Sequence, residues 1–205
     1  MRIYFIRHGE SFSNISRELS GREDQRGLTE KGWLQIQNLG MDLNKIPVAR
    51  IYTSPLLRAV QSGEIFSKIF DVPAEASKAL EECGVGELEG RRDDEAWEQY
   101  WQVRRDWASG KKASRIKGGE SLLDLENRFV PFVRALARDA SPMDEVLVVG
   151  HGGLFCALLP GLLQNVSNDF AESHGLSNAA YIVAEKKHDL LWCSKWEKTF
   201  FHNAQ

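Results

Sequence analysis

The chain has 205 residues, 42% of them hydrophobic and 27% charged, a composition that excludes a disordered or fibrous chain and fits one ordinary folded domain, or one domain with an insertion. A chain of this length buries roughly 70% of the surface it exposes when unfolded, so its core can stand without a disulfide staple or a structural metal. Twenty-six Lys and Arg against 29 Asp and Glu leave a formal charge of -3; this gives no general electrostatic footprint for nucleic acid or a membrane surface, and any anion site must be local.

The first strand is predicted over Arg2 to Ile6. Its apolar run Ile3-Tyr4-Phe5-Ile6 is cut by Arg7-His8 and is too short for the core of a signal peptide. A polar stretch from Gly9 to Leu28 follows, and Thr29 then caps a helix to about Leu43 carried by Leu34, Ile36, Leu39 and Leu43. The next strand, Arg50 to Thr53, ends at Ser54-Pro55. Leu56 to Phe70 reads as a helix, with Pro55 suited to its start.

Residues 91–119 differ in composition, with eight Lys or Arg against five Asp or Glu and three of the six tryptophans, Trp97, Trp101 and Trp107. This segment reads as a helical insertion that shapes substrate choice within one domain spanning 1–205. Ser121 with Asp124 is a capping-box signal for a helix through about Arg138. Glu145 to Val149 is the clearest strand, expected at the centre of the sheet and covered on both faces. Leu154 to Leu163 is apolar nearly all round, a buried helix that Pro160 must kink or end. Ala179 to Ala184 and Leu190 to Trp196 close the chain as an antiparallel hairpin. Short β-branched runs alternating with helical segments predict an α/β fold: three layers, α/β/α, around a mainly parallel sheet.

Cys83, Cys156 and Cys193 are odd in number and far apart, and no pair has metal-ligand or redox spacing. They point to a reducing compartment. No stretch approaches the ~18 apolar residues of a membrane span, and no terminal lipidation motif is present, so the expected location is the cytoplasm.

His8 follows the first strand directly and His151 follows the strongest one. In open parallel sheets, ligands bind at the carboxyl ends of strands, so loops distant in sequence can converge there. Gly9, Gly152 and Gly153 permit close backbone approach, and a helix starting after His151 would aim free N–H groups at an anion. Arg7 and Arg58 are expected at the same crevice. Two guanidiniums and two imidazoles suggest phosphate: arginine offers a fork to its oxygens, and a histidine can attack phosphorus and carry the phosphoryl group. A metal held by His8 and His151 lacks a third ligand and would be repelled by the arginines. No cofactor or metal is therefore expected.

Four pieces in order carry a family likeness: Arg7-His8-Gly9-Glu10-Ser11, Ser54-Pro55-Leu56-Leu57-Arg58-Ala59, Leu80-Glu81-Glu82 through Glu89-Gly90, and Gly150-His151-Gly152-Gly153. Together they resemble the histidine phosphatase superfamily, also called phosphoglycerate mutase-like, over nearly the whole chain. The resemblance implies that His8 is the phosphorylated nucleophile, that Arg7, Arg58 and His151 bind the phosphoryl group, and that Glu82 is the acid. It further implies that Ser11 and Asn14 line the entrance and that Ser20-Gly21 and Gly152 approach substrate, although the aromatic usual near Ser13 is lacking. By composition alone, Glu81, Glu82, Glu87 and Glu89 would pass for a solvated acidic loop.

Within that superfamily, hydrolysis needs water to reach phosphohistidine, whereas a mutase excludes water and grips a substrate carboxylate with an arginine pair. The segment Glu82 to Gly90 resembles the phosphatase pattern and lacks the mutase's Glu-Arg-His-Tyr-Gly. Gly118-Gly119-Glu120-Ser121 resembles the fructose-2,6-bisphosphatase branch. Arg104-Arg105 echo the mutase pair but read more simply as solvated charges on a helix. The expectation is a metal-independent phosphomonoesterase acting on a small phosphorylated metabolite. Its alternatives are phosphoglycerate mutase-type transfer and a non-catalytic phospho-ligand module. A homodimer is compatible with the sequence; nucleic acid and membrane are not expected partners.

Overall fold

The computed structural model describes residues 1–201. Seven strands are formed among them: β1 (Arg2–Arg7), β2 (Val48–Thr53), β3 (Ala74–Ala76), β4 (Glu145–Gly150), β5 (Tyr181–Lys187), β6 (Leu190–Trp196) and β7 (Thr199–Phe200). They make one sheet in the order β3-β2-β4-β1-β5-β6-β7. The half from β3 to β1 is parallel, and β5, β6 and β7 continue it antiparallel, so the sheet is mixed. β4 is buried along its whole length, as its apolar run predicts.

Side chains alternate across the sheet, and two cores follow from that period of two. Ile3 and Phe5 of β1 and Val146 and Val148 of β4 face one core, where Phe129, Val133 and Phe155 pack. Tyr4, Ile6, Leu147 and Val149 face the other, where Ile36, Leu39, Ile65 and Phe66 pack. The helices supplying these residues are α2 (Glu30–Asp42) and α3 (Leu57–Phe70) on one side, and α5 (Leu122–Asp139) and α6 (Gly152–Leu158) on the other. This is the expected three-layer α/β/α arrangement. Fully burying one such side chain stabilises by about 1.5–3 kcal/mol.

The capping signals hold: Thr29 Oγ1 accepts from Gly32 N at 3.0 Å, and Ser121 and Asp124 exchange bonds across the first turn of α5. α5 continues through Pro131, its buried stripe of Leu125, Phe129, Val133 and Leu136 outweighing the hydrogen bond that the proline removes. α6 starts at Gly152, two residues before the predicted start, and becomes a 3₁₀ turn over Leu159–Gly161 at Pro160. The closing hairpin forms, with β5 extending to Lys187.

Three helices fall outside the periodic signals or within a segment read only coarsely. α1 (Phe12–Ser16) lies in the stretch read as a polar loop, α4 (Asp94–Ala108) occupies the 91–119 segment, and α7 (Asn168–His174) follows α6. β3 and β7, three and two residues long, were also too short to show a period.

Candidate functional site

The parallel half of the sheet delivers its strand ends to one place. His8 N donates to Gly150 O at 3.0 Å and Ser54 N to Val149 O at 2.9 Å, so the chain leaving β1, β2 and β4 is tied together there. The rings of His8 and His151 stand 5.2 Å apart at 61°. Both are buried, at 3% and 0% exposure. The strand-end reading thus brings together two residues far apart in the chain.

The bonds around His8 fix its chemistry. Nδ1 lies 2.7 Å from the carbonyl of Gly9, and a carbonyl can only accept, so the proton is on Nδ1 and the lone pair on Nε2. Burial, then the charges of Arg58 and Arg7, holds its pKa well below the ordinary 6.5. The ring is a neutral base with its free nitrogen among cations. His151 is depressed in the same way, by burial first and then by Arg58. Its Nε2 shares a 2.8 Å bond with Ser54 Oγ, and its Nδ1 has no partner.

Arg7 ends β1 and sends Nη1 to Leu176 O at 2.7 Å, leaving a buried, unpartnered Nε. Arg58, in the first turn of α3 and 2% exposed, binds the carbonyls of Asp24 and Gly21 at 3.2 and 3.1 Å and the Asp24 carboxylate at 3.4 Å. Burial raises the Asp24 pKa, but bonds from Arg26 and Ser20 outweigh it and hold the group well below its usual value. Asp24 therefore stays anionic beside Arg58.

Glu82 accepts three backbone N–H groups: Cys83 and Leu154 at 2.8 Å and Gly153 at 3.1 Å. Its carboxyl group is thus fixed at the start of α6. The adjacent Glu81 turns away to Arg22 at 2.7 Å, and Glu89 accepts from Gly21 N at 2.7 Å. The acidic loop is therefore divided by its bonding partners. Cys83 is buried.

These groups line a cavity of about 270 Å³, with Arg7, His8, Arg58 and Glu82 at one end and Trp97, Tyr100 and Trp101 of α4 at the other. Asn14, Ser20 and Gly152 also line it. Asn14 Oδ1 already accepts from Ser11 N at 3.1 Å and Asn178 Nδ2 at 2.9 Å, which leaves its amide N–H₂ for the cavity. Ser11 and Gly21 do not reach the lining. Ser11 is fully buried at the start of α1, and a Cβ on Gly21 would stand 2.7 Å from Cys83 O.

Gly152 and Gly153 line the cavity, and the three glycines also let parts of the protein approach one another closely. A Cβ on Gly9 would meet Gly32 O at 2.4 Å, one on Gly152 Arg7 Cδ at 3.2 Å, and one on Gly153 Glu82 Oε1 at 2.8 Å. The space they leave is filled by protein: the backbone of α2, the stem of Arg7 and the Glu82 carboxylate. The expectation of solvated charges fails for Arg104 and holds for Arg105. Arg104 is 4% exposed and bonds Glu172 and Gly153 O, whereas Arg105 faces solvent and pairs with Glu98. Trp107 lies in the core.

Sequence reasoning missed Asp24, Ser54, Asn178, Glu172 and Arg128. Arg128 of α5 binds the carbonyls of Ala79, Glu81 and Glu82 at 2.8, 2.9 and 3.2 Å, and so holds the loop that carries Glu82. These partners lie 34 to 170 positions from the residues they serve, and no local pattern marks them. Among the described residues no group of three His, Cys, Asp or Glu is placed to hold a metal ion. No helix among them is long and apolar enough to cross a membrane.

Residues 3–199 match the family model of the histidine phosphatase superfamily, branch 1. The chain is 30% identical over 152 residues to "Probable phosphoglycerate mutase GpmB" of Salmonella choleraesuis, covering 74% of this chain and 70% of that one. Among solved structures it is similar to a mycobacterial glucosyl-3-phosphoglycerate phosphatase in complex with VO3, with a TM-score of 0.83, 24% identity and 97% and 99% of the two chains covered. It is also similar to the alpha-ribazole phosphatase of Shigella flexneri, with a TM-score of 0.79, 20% identity and 100% of each chain covered.

Proposed function

Because the chain belongs to the histidine phosphatase superfamily, branch 1, we propose that it is a phosphomonoesterase that hydrolyses a small phosphorylated metabolite through a phosphohistidine on His8, with no metal. The observation that carries this reading is the Gly9 carbonyl on His8 Nδ1, which leaves Nε2 with a free lone pair in a cavity that Arg7 and Arg58 also line.

In the first step the Nε2 lone pair forms a bond to phosphorus as the bond from phosphorus to the leaving oxygen breaks. Glu82 supplies the proton to that oxygen. Arg7 and Arg58 face the phosphoryl oxygens, where fixed cations lower the energy of developing charge without reorganising. Both are held in place beforehand, Arg7 by Leu176 O and Arg58 by the Ser20–Asp24 loop. A hydrogen bond donated by the Ser54 hydroxyl to His151 Nε2 leaves the His151 proton on Nδ1, a buried donor that a phosphoryl oxygen would satisfy. In the second step water attacks phosphorus, Glu82 takes its proton, and the N–P bond breaks to return the pair to Nε2.

Transfer between two oxygens of a sugar acid is the second reading, favoured by the name of the Salmonella relative. It asks for two arginines on a substrate carboxylate. Arg105 points to solvent and Arg104 is taken by Glu172, which favours hydrolysis. A non-catalytic phospho-ligand module would need neither the free Nε2 nor Glu82.

The test uses the purified protein in EDTA with p-nitrophenyl phosphate and a panel of phosphorylated metabolites including 3-phosphoglycerate, reading free phosphate and isomerised product. Phosphate release that falls at least about 10⁴-fold in His8→Ala, with loss of an acid-labile phosphoenzyme, is the expected result. A fully active His8→Ala protein overturns the mechanism. Isomerisation with little phosphate release makes the mutase reading correct.

A further inference from the structure

The cavity has two ends of opposite character. At the phosphoryl end Arg7 and Arg58 outnumber the single carboxylate of Glu82. At the other end the charges are already paired: Arg104 by Glu172, with its Nη1 on Gly153 O at 2.9 Å, and Glu18 by Arg26 at 2.6 Å. Arg104 is thus the one cation on that part of the lining, and its charge is already neutralised by the Glu172 carboxylate, which takes Nε and Nη2, while Nη1 donates to Gly153 O. A second negative group on the substrate would meet the carboxylates of Glu18 and Glu172 and would have to compete with Glu172 for Arg104.

The same end is walled by α4. Trp97 and Trp101 stack at 6.2 Å and 27°, and Tyr100 meets Trp101 edge-on at 5.1 Å. Trp97 is anchored by Nε1 to Arg17 O at 3.1 Å, whereas Trp101 stays 43% exposed on the cavity lining. Leu19, Val85 and Leu176 complete the apolar surface. At about 270 Å³ the space is at the small end for ligand pockets and suits one phosphoryl group with one ring.

We infer that the substrate is a monoester carrying a single phosphate on a neutral, ring-bearing alcohol, its ring lying against Trp101, and that phosphorylated sugar acids and bisphosphates are poor substrates. The inference rests on the hydrolase reading and narrows it. Stacking and apolar burial favour the ring; unpaired charge facing Glu18 and Glu172 disfavours a carboxylate.

The test compares esters whose leaving oxygens are all simple alkoxides, so that leaving-group strength does not decide: 2-phenylethyl phosphate, glycerol 1-phosphate and 3-phosphoglycerate, by kcat/KM for phosphate release. The phenylethyl ester is expected to exceed glycerol phosphate by about tenfold and 3-phosphoglycerate by more. Trp101→Ala should lower the phenylethyl to glycerol phosphate ratio towards one. Glu172→Gln, which frees Arg104, should raise 3-phosphoglycerate relative to the phenylethyl ester. If all three esters are hydrolysed through His8 and 3-phosphoglycerate matches or exceeds the ring ester, the selectivity is overturned while the hydrolase reading stands. If none of the three releases phosphate while p-nitrophenyl phosphate does so through His8, the selectivity falls and the hydrolase reading stands; if p-nitrophenyl phosphate is inert as well, both fall.

Discussion

The two ends of the cavity are built by different means. The phosphoryl end hangs on strand ends whose order is set by the sheet: Arg7 and His8 after β1, Ser54 and Arg58 after β2, His151 after β4. The leaving-group end is made of a helix and loops packed against one another, α4 against α7 through Arg104 and Glu172. The first is held by backbone ladders and the second by side chains. Reaction chemistry is thereby fixed to the rigid part of the molecule and selectivity is left to a part that can change without disturbing it.

The comparison is sharpened first at Glu82. Glu82→Gln removes the proton donor and should lower turnover by about 10²–10⁴-fold, most for esters of poor leaving groups; a uniform loss across p-nitrophenyl and alkyl esters would take the acid role from Glu82. Arg128 offers the next largest effect, since it lies outside the cavity lining yet clamps the Glu82 loop by three carbonyls. A lysine there cannot reproduce the fork. Arg128→Lys is expected to reduce kcat about 10- to 100-fold with KM little changed, and the loss should again grow with leaving-group pKa. A loss equal for all esters would mark a general folding defect instead.

The buried histidines give a pH dependence. His8 and His151 have folded pKa values below 6.5, so between those values and 6.5 the unfolded chain binds more protons than the folded one. Stability is therefore full above pH 6.5 and falls as pH drops below it. The acid limb of kcat/KM should also lie below the ordinary histidine range, because the nucleophile stays neutral there. Urea midpoints from pH 8 to pH 5 read the first and p-nitrophenyl phosphate kinetics the second. An acid limb at or above 6.5 would contradict a desolvated His8. The smallest effect is expected at the outer surface of α4: Arg105→Ala breaks an exposed pair with Glu98 and should change stability by less than about 1 kcal/mol with no change in selectivity.

The phosphoryl end was legible because its residues sit at the ends of strongly periodic segments, and Arg7, His8, Arg58 and His151 needed only the sheet to bring them together. Glu82 was legible through the family spacing alone, since its three carboxylate neighbours are chemically alike until Arg22 and Gly21 N claim Glu81 and Glu89. Arg104 and Arg105 show the limit. Adjacent in sequence and identical in chemistry, they leave α4 about 100° apart, and Arg104 is the one that meets Glu172 and is buried. The glycines were read as allowing close backbone approach, and Gly152 and Gly153 do line the cavity, but the packing of Gly32 O, Arg7 and Glu82 against all three was not legible. α1 escaped notice because five residues are too few for a helical period.

The pairing of β1 with β4 and β5 also sets a clock. Arg2 finds Glu145 and Tyr4 finds Val183, so during synthesis β1 waits for partners made more than 140 residues later. At ribosomal speeds that delay is on the order of ten seconds. Throughout it Ile3-Tyr4-Phe5-Ile6 is an unpaired, aggregation-prone edge, and Arg2 and Arg7 flank it with charge in the manner of gatekeepers. Arg7 thus guards the nascent chain before there is any cavity for it to line.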